Sequence, residues 1–191
     1  QKGLMCPPGL SFNAISNKAL EAYKSSKIVK SYWHWGQMLE NNKLGFYPYT
    51  PAVNLLYGLN EAINMLLEEG LDNVFARHKR HADATRLAVQ AWGLEILAKN
   101  PVERSDSITA IMVPEGHDPD NLRKIIYDNY DMSLGTGLNK VKGKVFRIGH
   151  MGDLNDLMLA GTLAGVEMGL KQSGIPFKPG GIMTALDFLS K

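Results

Sequence analysis

From residue 94 onward, short apolar runs alternate with stretches of helical period. That alternation confines the chain to a unit of mixed helix and sheet, α/β or α+β. Residues 94–97 and 108–113 read as strands. Asp118-Pro119 joins a capping carboxylate to a proline at the first helical position. It predicts a helix to about Tyr130 with Leu122, Ile125 and Ile126 inward. A short strand is expected over 132–134, a flexible loop over 135–143 and a strand over 144–149. Helices are expected over 155–171 and 182–190, and no fixed-period repeat or low-complexity tract interrupts the series.

The first half is organised differently. Gly3, Pro7-Pro8 and Gly9 make a rigid loop of residues 1–13, and a short helix capped by Ser16 is expected over 17–27. Residues 28–46, with Tyr32, Trp33 and Trp35 around His34, read as irregular. Thr50-Pro51 predicts a helix start. Val53, Leu56, Leu59, Ile63, Leu66 and Leu67 follow at helical spacing until Gly70. A second long helix is expected from Asp72 to about Trp92, its apolar side formed by Phe75, His78, Ala82, Thr85, Ala88 and Trp92. The interval 70–72 is the expected hinge between two units.

Composition excludes several classes. With 21 Lys and Arg against 19 Asp and Glu in 191 residues, the net charge of +2 supplies no field for a nucleic-acid backbone. Cys6 is the single cysteine, so no internal disulfide forms. No apolar run reaches the roughly 18 residues of a membrane span; the best candidate, 154–170, is broken by Asn155, Asp156 and Glu167. No signal-peptide core precedes residue 12, and the last residues are Leu189-Ser190-Lys191. The expectation is a cytoplasmic protein with no nucleic-acid or membrane partner.

Few residues carry chemistry by pattern alone. His78 and His81 flank Lys79 and Arg80, which reads as a solvated basic helix face, not a zinc pair. Gly135-Thr136-Gly137 lacks the third glycine of a dinucleotide fingerprint and leads into a strand, so a mobile loop is expected. Gly161, Gly165 and Gly169 recur every four residues, which suits close approach of a helix to a sheet. Arg147 stands mid-strand, with Val145 and Gly149 on its face and Phe146 and Ile148 on the other. Two readings are open for it: a structural salt bridge, or a clamp for a substrate carboxylate. Lys2 is either a solvated terminal lysine or, with a lowered pKa, a nucleophile that traps carbonyls.

The segment Gln1-Lys2-Gly3-Leu4-Met5-Cys6-Pro7-Pro8-Gly9 resembles the Schiff-base lysine segment of class V, fold-type I aminotransferases, which bind pyridoxal 5′-phosphate. Tyr47-Pro48-Tyr49-Thr50-Pro51 resembles the segment in which a tyrosine and a threonine reach the cofactor phosphate of the neighbouring subunit. Val145-Phe146-Arg147-Ile148-Gly149 resembles the family's carboxylate-binding arginine strand. The likeness runs over essentially the whole chain and is nearest to the serine–glyoxylate branch, through LMCPPGLSFN, YTPAVNLLYGL, GLDNVFARH, MSLGTGLNKV and FRIGHMGD.

The resemblance implies that Lys2 forms the Schiff base and carries protons between substrate and cofactor. It gives the cofactor phosphate to Gln1, Tyr47 and Thr50, and the substrate carboxylate to Arg147. Thr50, as an expected helix cap, suits the phosphate role physically; for Tyr49 the other reading is packing alone. The implied reaction moves the amino group of serine to glyoxylate, with aspartate or alanine as alternative donors and a non-catalytic assembly fragment as the other class. The implied fold is α/β: the C-terminal part of a fold-type I large domain over residues 1–69, then a small α+β C-terminal domain over 70–191. The family's phosphate loop, ring-stacking aromatic and pyridine-pairing aspartate belong to an upstream half that this sequence does not contain. A chain of this length is therefore expected to be inactive without that half, and to work in a homodimer.

Overall fold

The computed structural model describes residues 1–191. They divide into two compact units: Gln1 with 6–63, and 2–5 with 64–191.

In the first unit, α1 (Asn17–Ser25) starts at Ser16, whose side chain accepts from the Ala19 N–H. The stretch expected to be irregular contains α2 (Trp35–Lys43). Its cap is His34, whose Nδ1 accepts from the Gln37 N–H at 3.1 Å. An imidazole is not among the usual capping side chains, so the start signal is weak in sequence. Tyr23 buttresses the turn, edge-on to His34, stacked on Trp35 and bonded to the Gly36 N–H. Gly9, at φ +144°, lets the proline loop lie against α3 (Val53–Glu69): a Cβ there would meet Leu55 at 2.7 Å.

Helix α3 begins later than the Thr50-Pro51 signal predicts. The Val53 N–H donates to the Pro51 carbonyl, and the first helical bond runs from Leu56 to Ala52. Thr50 thus stands outside the helix and does not cap it. No side chain of α1, α2 or α3 is buried.

The second unit holds the core. Its sheet is antiparallel, in the order β1 (Glu95–Ile96), β2 (Ile108–Met112), β4 (Val145–Gly149), β3 (Gly135–Thr136). The short strand thus falls at 135–136, not 132–134, and the expected mobile loop supplies an edge strand. Register sets Ile111 opposite Phe146 and Thr109 opposite Ile148, so these four share one face. Helices α4 (Leu71–Ala91), α5 (Pro119–Tyr130), α6 (Asp156–Ser173) and α7 (Gly181–Leu189) cover that face. Their buried residues, among them Val89, Trp92, Leu122, Ile126, Leu159, Leu163 and Leu170, form one cluster with Ile111, Phe146 and Ile148. An antiparallel sheet with one packed face needs this alternation. Ala82, Thr85, Ala88 and Trp92 are buried as expected; Val74, His81 and Ala84 join them, whereas Phe75 is exposed.

The glycine series of α6 serves a helix, not the sheet. A Cβ at Gly169 would overlap Ile126 of α5 and one at Gly165 would strike Met132, while Gly161 faces open space.

Candidate functional site

The opposite face of the sheet carries Ala110, Arg147 and Gly135 side by side, since Ala110 and Gly135 both pair with Arg147. The arginine therefore lies between two of the smallest residues available. A Cβ built on Gly135 would stand 3.0 Å from Arg147 Nε, so the edge strand closes directly over the side chain. Arg147 Nε is buried without a hydrogen-bond partner. None of the chain's ion pairs includes Arg147. The structural-salt-bridge reading thus has no acid to support it. The side chain as a whole is half-buried, and a guanidinium with open donors is complementary to a carboxylate.

Lys2 belongs to the same unit as Arg147. Its carbonyl accepts from the Met5 N–H at 2.9 Å, which closes a turn, and Met5 takes φ +54°. Met5 Sδ accepts from the Asp153 N–H at 2.7 Å, so the lysine turn is joined to the loop that follows β4. That loop is fixed from α4. Arg77 Nη1 donates to the carbonyls of Gly152 and Leu154, at 2.7 and 3.1 Å, and the Gly152 N–H donates to His78 Nε2 at 3.0 Å. Glu69 grips the Arg77 guanidinium with both oxygens; the bond from Arg77 holds the Glu69 carboxyl below its usual range.

His78 and His81 are accordingly not a solvated face. His78 Nδ1 donates to the Val74 carbonyl, leaving Nε2 to accept. His81 is buried, with Nε2 2.9 Å from Asp156, which also receives Arg80 at 2.6 Å. Burial lowers the pKa of His81, and the Asp156 carboxylate opposes that effect. This trio ties α4 to the start of α6. No group of three or more His, Cys, Asp or Glu side chains is arranged to hold a metal ion. His150 is isolated from the other histidines in sequence. It is fully buried, bonded to the Thr109 hydroxyl at 2.9 Å and to the Asp106 carbonyl at 3.2 Å.

Gln1, Tyr47 and Thr50 lie in the first unit and are exposed. The structure does not make Thr50 a helix cap, so the dipole argument for its phosphate role loses its basis. The polar groups of Lys2, Gln1, Tyr47 and Thr50 engage no side-chain partner within the chain. An amine, an amide, a phenol and a hydroxyl so available are chemically suited to an aldehyde and a phosphate.

No family model matches the chain. It is 47% identical over 195 residues to the serine–glyoxylate aminotransferase of Methylorubrum extorquens, covering 99% of this chain and 48% of that protein. It is 45% identical over 180 residues to the L-aspartate–glyoxylate aminotransferase of Paracoccus denitrificans, covering 94% and 46%. Among solved structures, the pyridoxamine–pyruvate aminotransferase of Mesorhizobium loti superposes with a TM-score of 0.88 at 29% identity, covering 99% of this chain and 50% of that one. Sequence and fold are thus similar, over the whole of this chain, to one half of these aminotransferases. The likeness runs over this whole chain but over only about half the length of the curated relatives it matches.

Proposed function

We propose that this chain is the C-terminal part of a pyridoxal-phosphate-dependent aminotransferase that passes the amino group of serine to glyoxylate, giving hydroxypyruvate and glycine. The observation that carries the reading is the buried, unpaired Nε of Arg147 on the open face of the sheet. A guanidinium without an internal counter-ion gains from a bidentate anion, and an α-amino acid presents one.

Arg147 holds the substrate carboxylate and thereby fixes the direction of the α-hydrogen. Lys2 binds the cofactor aldehyde through Nζ. Once displaced by the substrate amine, it removes the α-proton as a base and redelivers it as an acid. Gln1 holds the cofactor phosphate through its amide N–H, while Tyr47 and Thr50 reach through their hydroxyls the cofactor phosphate of the neighbouring subunit. When bound, the cofactor supplies the electron sink for the α-carbanion.

In this reading residues 1–69 close a large domain and residues 70–191 form the small one. The unburied side chains of α1, α2 and α3 are what elements packed against an upstream portion and a second subunit display when seen by themselves. The working enzyme is a cytoplasmic homodimer. A second donor, aspartate, is favoured by the Paracoccus relative.

Borohydride reduction and peptide mapping of the complete enzyme test the assignment: phosphopyridoxyl is expected on Lys2, and label absent or elsewhere overturns it. Single-turnover reactions with serine and with aspartate, followed by cofactor absorbance, decide the donor. The 191-residue chain alone is expected to be inactive, and transamination by it without an added half defeats that part of the proposal.

A further inference from the structure

We infer that Met5 is a positioning residue for this site: its side chain seats the Lys2 turn on the loop after the arginine strand, and so sets Lys2 relative to Arg147. The inference rests on the roles proposed above for those two residues.

Four observations converge on the contact. Met5 closes the turn begun by the Lys2 carbonyl and does so at φ +54°, a conformation rarely adopted without a local polar side chain to support it. Its sulfur receives the Asp153 N–H at 2.7 Å. Its side chain also lies over Gly152, which has φ +82°, and a Cβ at Gly152 would overlap Met5 Sδ and Cγ. The seat itself is rigid, because Gly152 is held through its N–H by His78 and through its carbonyl by Arg77, with Glu69 locking Arg77.

The balance of effects favours positioning over stabilisation. Met5 is 56% exposed, so the contact removes little apolar surface from water. Its backbone meanwhile bears strain of the kind that collects at functional sites. What the contact does supply is a single linkage: Lys2 turn, Met5, loop 152–154, strand β4, Arg147. Proton transfer depends on the lysine nitrogen meeting an α-carbon whose place Arg147 determines. A small error in either costs rate more than binding.

The test uses the complete enzyme carrying this chain, as wild type and as Met5→Ala, Met5→Leu and Gly152→Ala. Borohydride labelling comes first; a wild type that takes no label on Lys2 overturns the site assignment and this inference with it. Given that label, exchange of the α-deuteron of α-deuterated serine measures the proton step directly. Met5→Ala is expected to keep the label and the cofactor affinity while slowing exchange roughly tenfold. Met5→Leu, which still fills the space over Gly152, is expected to recover most of the rate, and Gly152→Ala to reproduce the loss. Unchanged exchange in both Met5→Ala and Gly152→Ala overturns the inference. So does a loss that follows melting temperature or label content, with the rate per labelled enzyme unaltered.

Discussion

Gly135 and Arg147 face each other across the β3–β4 ladder so closely that a Cβ on Gly135 would stand 3.0 Å from the arginine Nε and 3.4 Å from Cζ. The edge strand therefore aims the guanidinium. Gly135→Ala is expected to shift it by a few tenths of an ångström and to raise KM for the amino donor about tenfold. Cofactor affinity should stay unchanged. Steady-state kinetics beside a cofactor titration check this.

Arg147→Ala should weaken the amino donor far more than the cofactor. Arg147→Lys should recover little, because an ammonium cannot make the paired N–H contacts of a guanidinium. Equal loss of donor and cofactor would mark the arginine as structural.

His150 makes the fold sensitive to acid. Burial lowers its pKa from 6.5 to about 4, against the opposing bond to the Asp106 carbonyl. The unfolded chain takes up a proton near pH 6.5, whereas the folded chain resists until about pH 4. Stability is thus unaffected above pH 6.5 and falls as the pH drops between these values, by about 3 kcal/mol in all. Urea unfolding at stepped pH should show this slope, and His150→Gln should flatten it.

Glu167 is the polar keystone of the α6–α7 corner. Its carboxylate accepts from Trp92 Nε1 at 2.7 Å and from the N–H groups of Gly180 and Ile182 at 2.9 and 3.0 Å. Burial pushes its pKa up, but these bonds together outweigh burial and leave it below the usual range. Its contribution is therefore present at neutral pH and is lost as the pH falls through the folded value. Glu167→Ala strands three donors and should cost about 2 kcal/mol, readable as a lowered melting temperature.

For the phosphate donors, Tyr47→Phe and Thr50→Val are each expected to loosen the cofactor in the complete enzyme. A variant that keeps full cofactor affinity, measured by equilibrium dialysis, removes that residue from the site.

The strand–helix alternation after residue 94 was legible because burial on one sheet face leaves a period-two trace and helix packing a longer one. Asp118 was legible as a cap because a short carboxylate binds the orphan N–H groups locally. By contrast, α2 has no clear start signal in sequence, since its cap is an imidazole supported by Tyr23, a partner distant in the chain. The strand at Gly135-Thr136 has no clear signal either, because glycine favours no strand and only pairing with β4 makes one.

The sequence by itself determined which side chains are available: a lysine before a double-proline loop, an arginine in an apolar strand, and a composition that yields one core. Local chemistry and periodicity suffice for that much. Only the tertiary structure decided that Arg147 has no internal counter-ion, that Gly135 presses on it, that His81 and His150 are buried, and that Met5 rests on Gly152. Each of these is a contact between residues far apart in the chain. Such contacts arise from how the strands register and the helices pack, and no local pattern encodes them.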